Sequence, residues 1–450
     1  MVETRVAPVP AVAARQRFAC FDGYRGIAAG AIVVFHVAFF TGFGLHHRLA
    51  GDFLARLDVG VALFFVISGF LLYRPFVVAH LAGSDAPPAG SFWRRRLLRI
   101  VPAYWVTLAV VVYVLGLKHI AGVGDAIVYF GFLQIYDNRH LPGGISQAWS
   151  LCTEMSFYLV LPLYAWAVRR RGRAMRGGRA GRAGRAGREV RAVVLVYCTG
   201  LLVRGLIAFG WLGRPSAVYD CRLDWLPATM DLFALGMALA VASAWHEQGG
   251  RLPAWLAWLG ERPWACWTGA AAAYVIVSTV VFDAGDLGRA FTPGQVVGRE
   301  VFYGLVAALL IIPGVFGRED EGGIRRLLRS RPLALAGIGS YGIYLTHEAV
   351  IDAYASHAHL LLLHAPAGRL LVVTVLGSAL AAAVLHQLVE RPALALKART
   401  VAVPAWHDAP DAVRGHGRGW RRPVGVRVGR RGSAHPAGAA PRGRVPPGVG

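Results

Sequence analysis

Charged residues are scarce: Asp, Glu, Lys and Arg make up 16% of the 450 residues, whereas 56% are hydrophobic. The apolar residues fall in blocks near twenty long rather than in amphipathic stripes, and the mean hydropathy is +0.47. That combination excludes an ordinary soluble domain and predicts an all-α, polytopic membrane protein. Cysteine is also sparse. Cys20, Cys152, Cys198, Cys221 and Cys266 are scattered without a Cys-x-x-Cys pair, which argues against a zinc site or a disulfide framework and leaves them as small hydrophobes. No small-residue cleavage site follows the first apolar stretch, so the amino terminus is expected to stay attached. Acids are outnumbered, 25 against 48 basic residues, for a net charge of +23. The excess does not point to nucleic acid, because no aromatic-interleaved basic surface accompanies it. Arginine instead concentrates in the nine-arginine run 169–188 and after Val401. Both stretches are rich in Gly, Ala and Pro and read as disordered, with anionic lipid headgroups as their expected partner.

About ten membrane spans follow from the hydropathy: 24–43, 57–79, 98–117, 148–168, 191–211, 226–243, 264–282, 299–316, 334–353 and 368–389. With the amino terminus inside, the basic segments 74–96, 169–188, 317–331 and the carboxyl tail all face the cytoplasm, as the positive-inside rule asks. Counting 126–136 as a span would put the arginine run outside. It is therefore read as a short re-entrant or interfacial helix. The chain divides into a cytoplasmic segment 1–20, a membrane domain 21–395 carrying an Arg-rich loop at 169–190, and a disordered basic tail 396–450, with both termini cytoplasmic and the protein in the inner (plasma) membrane.

Within these spans a few polar residues recur at helical intervals. Arg25 and His36 are eleven positions apart in the first apolar stretch, which brings them within about 20° on one helical face and about 16 Å along the axis. An ionisable residue in a span is a functional-site hypothesis; the plainer reading is a hydrogen-bonded histidine and a boundary arginine. Arg96 and Arg99, three apart, suit bidentate grip of a phosphate or pyrophosphate, or simply anchor the helix. Ser150, Glu154 and Tyr158 form a polar stripe at intervals of four, in which Glu154 must be paired, protonated or wetted. Tyr341, Tyr344 and His347 share one broad face of the ninth span, where tyrosines also serve as interfacial anchors. Glu390-Arg391-Pro392 reads as the close of the last helix.

In combination these segments resemble the membrane acyltransferase 3 family, enzymes that O-acylate bacterial surface polysaccharides, nodulation factors and some macrolides. The matches are Asp22-Gly-Tyr-Arg25-Gly with His36, Phe64-Phe-Val-Ile-Ser68-Gly-Phe70, Arg96 to Arg99, Trp149-Ser-Leu-Cys-Thr-Glu154, Ser340 to His347 and Val389-Glu-Arg-Pro392. Where many members have a second acid after the glutamate, this chain has Met155. Some relatives also carry an additional span and an SGNH-type domain for the acceptor; neither is visible here, so their polysaccharide substrates do not transfer directly.

The resemblance implies an integral membrane O-acyltransferase that moves an acetyl or other short acyl group from acyl-coenzyme A to a carbohydrate or glycosylated acceptor. Arg96 and Arg99 would hold the coenzyme's phosphates and Arg25 would position the donor. His36 would be general base or acyl carrier and Glu154 would orient it, with Ser150, Tyr341 and His347 on the substrate. No permanently bound cofactor and no metal are expected. The alternative is a proton-coupled secondary transporter whose site is His36, Glu154 and Arg25.

Overall fold

In hydrocarbon a backbone must satisfy its own polar groups, and an apolar run of about twenty residues does so as a helix. The computed structural model describes residues 18–398 apart from 142, 171–177, 214–219, 283–289 and 318–321, and among the described residues there is no strand. Among the described residues, ten long helices carry the fold. They are α1 (Cys20–Phe40), α2 (Val59–Ala82), α3 (Ala89–Ala109), α4 (Trp149–Arg170), α5 (Gly178–Ala208), α6 (Leu226–Glu247), α7 (Pro263–Ile276), α8 (Pro293–Val315), α9 (Arg331–His357) and α10 (Ala367–Leu385).

Among the described residues, nine helices are long and apolar enough to cross a membrane, so the protein is an all-α, multi-pass membrane protein. The exception among the ten is α9, which has 27 residues but is diluted by polar side chains such as Tyr341, Thr346, His347, Glu348 and Asp352. The segment expected to be re-entrant or interfacial contains the eight-residue helix Val123–Phe130 and a three-residue 3-10 helix Gln134–Tyr136, both too short to span.

Three expectations change. The arginine run is not a loop throughout: α4 ends at Arg170 and α5 begins at Gly178, so α5 is 31 residues long and most of the run is helical. Its guanidinium groups donate to backbone carbonyls, Arg185 to Leu81 (3.0 Å) and Arg182 to Gln248 (2.8 Å), at the carboxyl ends of α2 and α6. Cations there meet the negative end of the helix dipole and satisfy orphaned carbonyls, which composition alone does not reveal. Second, the chain does not stop helically at Glu390-Arg-Pro392. A wide π turn over His386–Glu390 leads into a helix Arg391–Ala398, in which Pro392 stands in the first turn, where no N–H is needed. Third, the supposed tail therefore begins beyond residue 396; positions 399–450 and most of 1–20 lie outside the described residues. Of the cysteines, all but the exposed Cys198 are buried.

Several helix pairs approach at backbone contact, among them α2 with α6 and α1 with α9. On α2 and α6, a Cβ on Gly236 would stand 2.0 Å from the carbonyl oxygen of Val66, and one on Gly69 would stand 2.2 Å from that of Phe233. On α1 and α9, a Cβ on Gly337 would stand 1.9 Å from the Asp22 carbonyl, and one on Gly26 would stand 3.2 Å from the Gly337 nitrogen. The second pair matters for function. The helices run parallel, so ten residues beyond Gly26 and Gly337 the same register sets His36 against His347.

Gly337→Val is expected to force α1 from α9 and cost roughly 1–3 kcal/mol of overpacking strain. Gly30→Ala, on the same helix but with open space around the added methyl, is expected to be neutral or stabilising by up to about 1 kcal/mol. Thermal unfolding of the detergent-solubilised variants measures both, and equal loss in the two would refute the close-contact account.

Candidate active site

The register of α1 and α9 places three ionisable side chains together. His36 Nε2 lies 2.8 Å from Glu348 Oε1, and His347 Nε2 lies 3.1 Å from His36 Nδ1. The two rings are tilted, with centroids 4.9 Å apart. Each histidine also aims its Nδ1 at the carbonyl four residues earlier, His36 at Ile32 (3.0 Å) and His347 at Ile343 (3.1 Å). Ser146 donates its hydroxyl to the other oxygen of Glu348. His347 is fully buried, whereas the side chains of His36 and Glu348 retain about a fifth of their exposure.

Two placements of one proton, on His36 Nε2 or on Glu348 Oε1, satisfy every one of these contacts. In both, His347 donates Nδ1–H to Ile343 and accepts at Nε2, and His36 donates Nδ1–H to Ile32 and His347; in the first, His36 also donates Nε2–H to Glu348. The first is an imidazolium beside a carboxylate, the charged pair that a half-buried site can hold when both partners are hydrogen-bonded. When His36 is neutral, the Ile32 carbonyl keeps the proton on Nδ1 and the lone pair on Nε2.

A second cluster lies toward the opposite end of α1. Arg25 approaches Asp22 at 3.9 Å and is within electrostatic reach of Arg99, Arg96 and Tyr158. Glu154 accepts from Ser68 Oγ at 2.5 Å and from the Tyr158 hydroxyl. Tyr341 donates to the Ile100 carbonyl at 2.8 Å and stands near Glu154 and Glu390. Three guanidinium groups, two of them on the first half of α3, thus converge where α1, α3 and α4 meet. The Nε of Arg96 is buried without a hydrogen-bond partner.

The predicted residues are therefore divided between two places. His36 and His347 come together, as do Arg25, Arg96, Arg99 and Glu154. Glu154, expected to orient His36, bonds to Ser68 instead, and the carboxylate on His36 is Glu348. Of the residues placed on the substrate, Tyr341 belongs to the arginine cluster. Ser150 joins neither: its hydroxyl meets that of Tyr344 at 2.7 Å, and Tyr344 donates to the Gln147 carbonyl at 2.6 Å, clamping the start of α4 to α9. Sequence reasoning missed Glu348 and Ser146. The rule that singled out Glu154, an acid inside an apolar span, applies equally to Glu348. Among the described residues, the ligand atoms of His36, His347 and Glu348 all lie within 4.8 Å of one another, so a metal ion is chemically admissible there.

Comparison with known proteins adds several relatives, three of which illustrate the range. YrhL of Bacillus subtilis, a provisionally named peptidoglycan O-acetyltransferase, is 28% identical over 362 residues, 73% of this chain and 48% of its own length. The acyltransferase MdmB of Streptomyces mycarofaciens is 26% identical over 440 residues, 88% of this chain and 98% of its own. The exopolysaccharide production protein ExoZ of Rhizobium meliloti is 28% identical over 373 residues, 80% and 94% respectively. The chain thus spans under half of the Bacillus protein and nearly all of the Streptomyces one. No solved structure matches. The sequence profile described as the acyltransferase domain matches residues 18–387, which hold both clusters, and the chain belongs to that family of membrane acyltransferases.

Proposed function

We propose that the protein transfers an acyl group, acetyl or another short chain, from acyl-coenzyme A to a hydroxyl of a carbohydrate or glycosylated acceptor. The observation that carries this reading is the contact of His36 with Glu348, which supplies a base with a built-in stabiliser for its protonated form. In the neutral state Nε2 would take the proton of the acceptor hydroxyl as its oxygen attacks the thioester carbonyl. The new C–O bond forms, the C–S bond breaks, and the proton held on Nε2 passes to the leaving sulfur. Glu348 stabilises the imidazolium between those two events, the role first sought in Glu154.

The donor's phosphates would dock at Arg96 and Arg99, with Arg25 nearby, because three guanidinium groups there face two carboxylates, Asp22 and Glu154. From that cluster to His36 is about 16 Å along α1, a span the donor's flexible arm would follow between the helices. Charge placement supports a plasma-membrane protein with the arginine cluster and both termini on the cytoplasmic side, anionic headgroups meeting the arginine run and the tail, and His36 in the outer half.

His36→Ala should lower coenzyme A release by about 10² or more while the protein still elutes as a folded species; near wild-type turnover would remove His36 from the reaction. Glu348→Gln keeps the size but not the charge and should lower kcat with little change in donor KM, whereas Glu154→Gln should alter donor KM. The reverse pattern would exchange their roles.

Replacing both Arg96 and Arg99 with lysine retains positive charge but removes the planar fork, so donor affinity should fall with orientation unchanged. Orientation itself is read by an impermeant thiol reagent on single cysteines in a cysteine-replaced background. Position 290 should react from outside and position 183 only once the cytoplasmic face is opened; labelling of 183 from outside would invert the topology.

A further inference from the structure

A chamber of about 320 Å³ lies on the far side of α2 from α1, enclosed by α2, the start of α4, α5, α6 and α8. It belongs to the same end of the bundle as His36, where α1 and α5 finish and α2, α4, α6 and α8 begin. Its walls combine four carboxylates, Asp58, Asp220, Asp224 and Glu300, with two guanidinium groups, Arg204 and Arg299. Glu300 and Arg204 are 3% and 4% exposed, and Arg204 Nη2 is 3.0 Å from Glu300 Oε1. Arg204 also donates to the carbonyls of Ala228 (3.0 Å) and Leu223 (3.2 Å). Tyr303 donates to Asp58, and Asp220 is held by Arg222. The apolar part of the wall is mainly aliphatic and includes the aromatic side chains of Trp149 with Phe65, whose rings meet edge to face at 6.3 Å, and of Phe291.

Buried charges around empty volume are costly if they serve packing alone, since an apolar filling of the same space is often as stable. A cavity of this size with a few convergent polar groups is in the range of ligand sites. The pattern of carboxylates and guanidinium groups fixed in place, next to an indole face, matches a molecule with many hydroxyls and a C–H face. Carboxylates accept from hydroxyls, arginines donate to them, and the aromatic ring packs on the ring's apolar side. With the flanking Arg56, Arg222 and Asp231 counted, five carboxylates still stand against four guanidinium groups, which disfavours an anion.

The chamber is linked to the histidine cluster through α2 and the start of α4 rather than by direct contact. Phe65 and Trp149 line it, while the adjoining Phe64 packs on Tyr344, a ring neighbour of His347, and Ser146, three residues before Trp149, holds Glu348. We infer that this chamber binds a hydroxyl-rich sugar without negative charge, as the docking site of the acyl acceptor; its assignment to the acceptor rests on the transfer reading above.

Binding is measured on the full-length protein in detergent by saturation-transfer NMR with three probes: a methyl glucoside, the corresponding amine-bearing glycoside and methyl glucuronide. The neutral and amine-bearing sugars should bind at least about tenfold tighter than the glucuronide, equivalent to ~1.4 kcal/mol. Absence of binding by both, or equal binding of the anion, overturns the proposal. Ala290→Trp adds bulk at an exposed position on the chamber's rim and should weaken sugar binding about tenfold or more, and Trp149→Leu, which removes the stacking face, should do the same. Unchanged binding in a folded variant of either kind also overturns it. Coenzyme A release by His36→Ala separates the two readings. Sugar binding with turnover that survives this substitution would sink the base assignment and leave the chamber standing; no sugar binding with turnover that depends on His36 would do the reverse.

Discussion

Backbone contact between α1 and α9 fixes the position of every group in the histidine cluster. Where Gly26 meets Gly337, no side chain holds the helices apart, and a methyl on Gly337 would overlap the Asp22 carbonyl at 1.9 Å. Because the pair runs parallel, that closeness is carried ten residues along both helices, about 15 Å, to His36 and His347. A wider spacing would leave the imidazoles out of reach of each other and would leave Glu348 a lone acid in an apolar environment. Glycine at the narrow end thus makes a hydrogen-bonded charge cluster possible at the other.

The remaining polar groups follow the same economy. Several are tied to a backbone carbonyl: His36 to Ile32, His347 to Ile343, Tyr341 to Ile100, Gln147 to the carbonyls of Tyr344 and Leu345. In a low dielectric an unpaired polar group is expensive, so the ties hold the side chains in one rotamer. The result is two separate electrostatic environments within one bundle. Guanidinium groups gather near the start of α1 and α3, and imidazoles with a carboxylate gather near the end of α1. A donor that is anionic at one end and reactive at the other fits that separation.

The helices were legible in the sequence because each apolar block is long enough to be read without its neighbours, and the short stretch around 126–136 was too brief to be a span. Glycine-rich arginine repeats were not: composition suggested disorder, but the carbonyl ends of α2 and α6 give Arg182 and Arg185 partners that only the fold supplies. For the site, spacing along one helix linked Arg25 with His36 correctly as a shared stretch but not as a shared site, since 16 Å separates the two ends. Glu154 and Glu348 look alike in sequence. What distinguishes them is which neighbour each faces, Ser68 or His36, and that depends on packing between helices remote in the chain.

A transfer site of this type needs a group that removes a proton and then returns it within one turnover. An arginine cannot release its proton near neutral pH, and a carboxylate alone is a weak base toward a hydroxyl. Imidazole can do both, provided one nitrogen keeps its proton while the other cycles. The Ile32 carbonyl supplies that asymmetry, for it fixes Nδ1–H and leaves Nε2 to face Glu348. In the proposed transfer Glu348 would lower the cost of the charged intermediate where Nε2 carries the extra proton, and Ser146 holds the other carboxylate oxygen. The role proposed for His36 thus depends on a carbonyl within its own helix and on an acid from a helix over three hundred residues away.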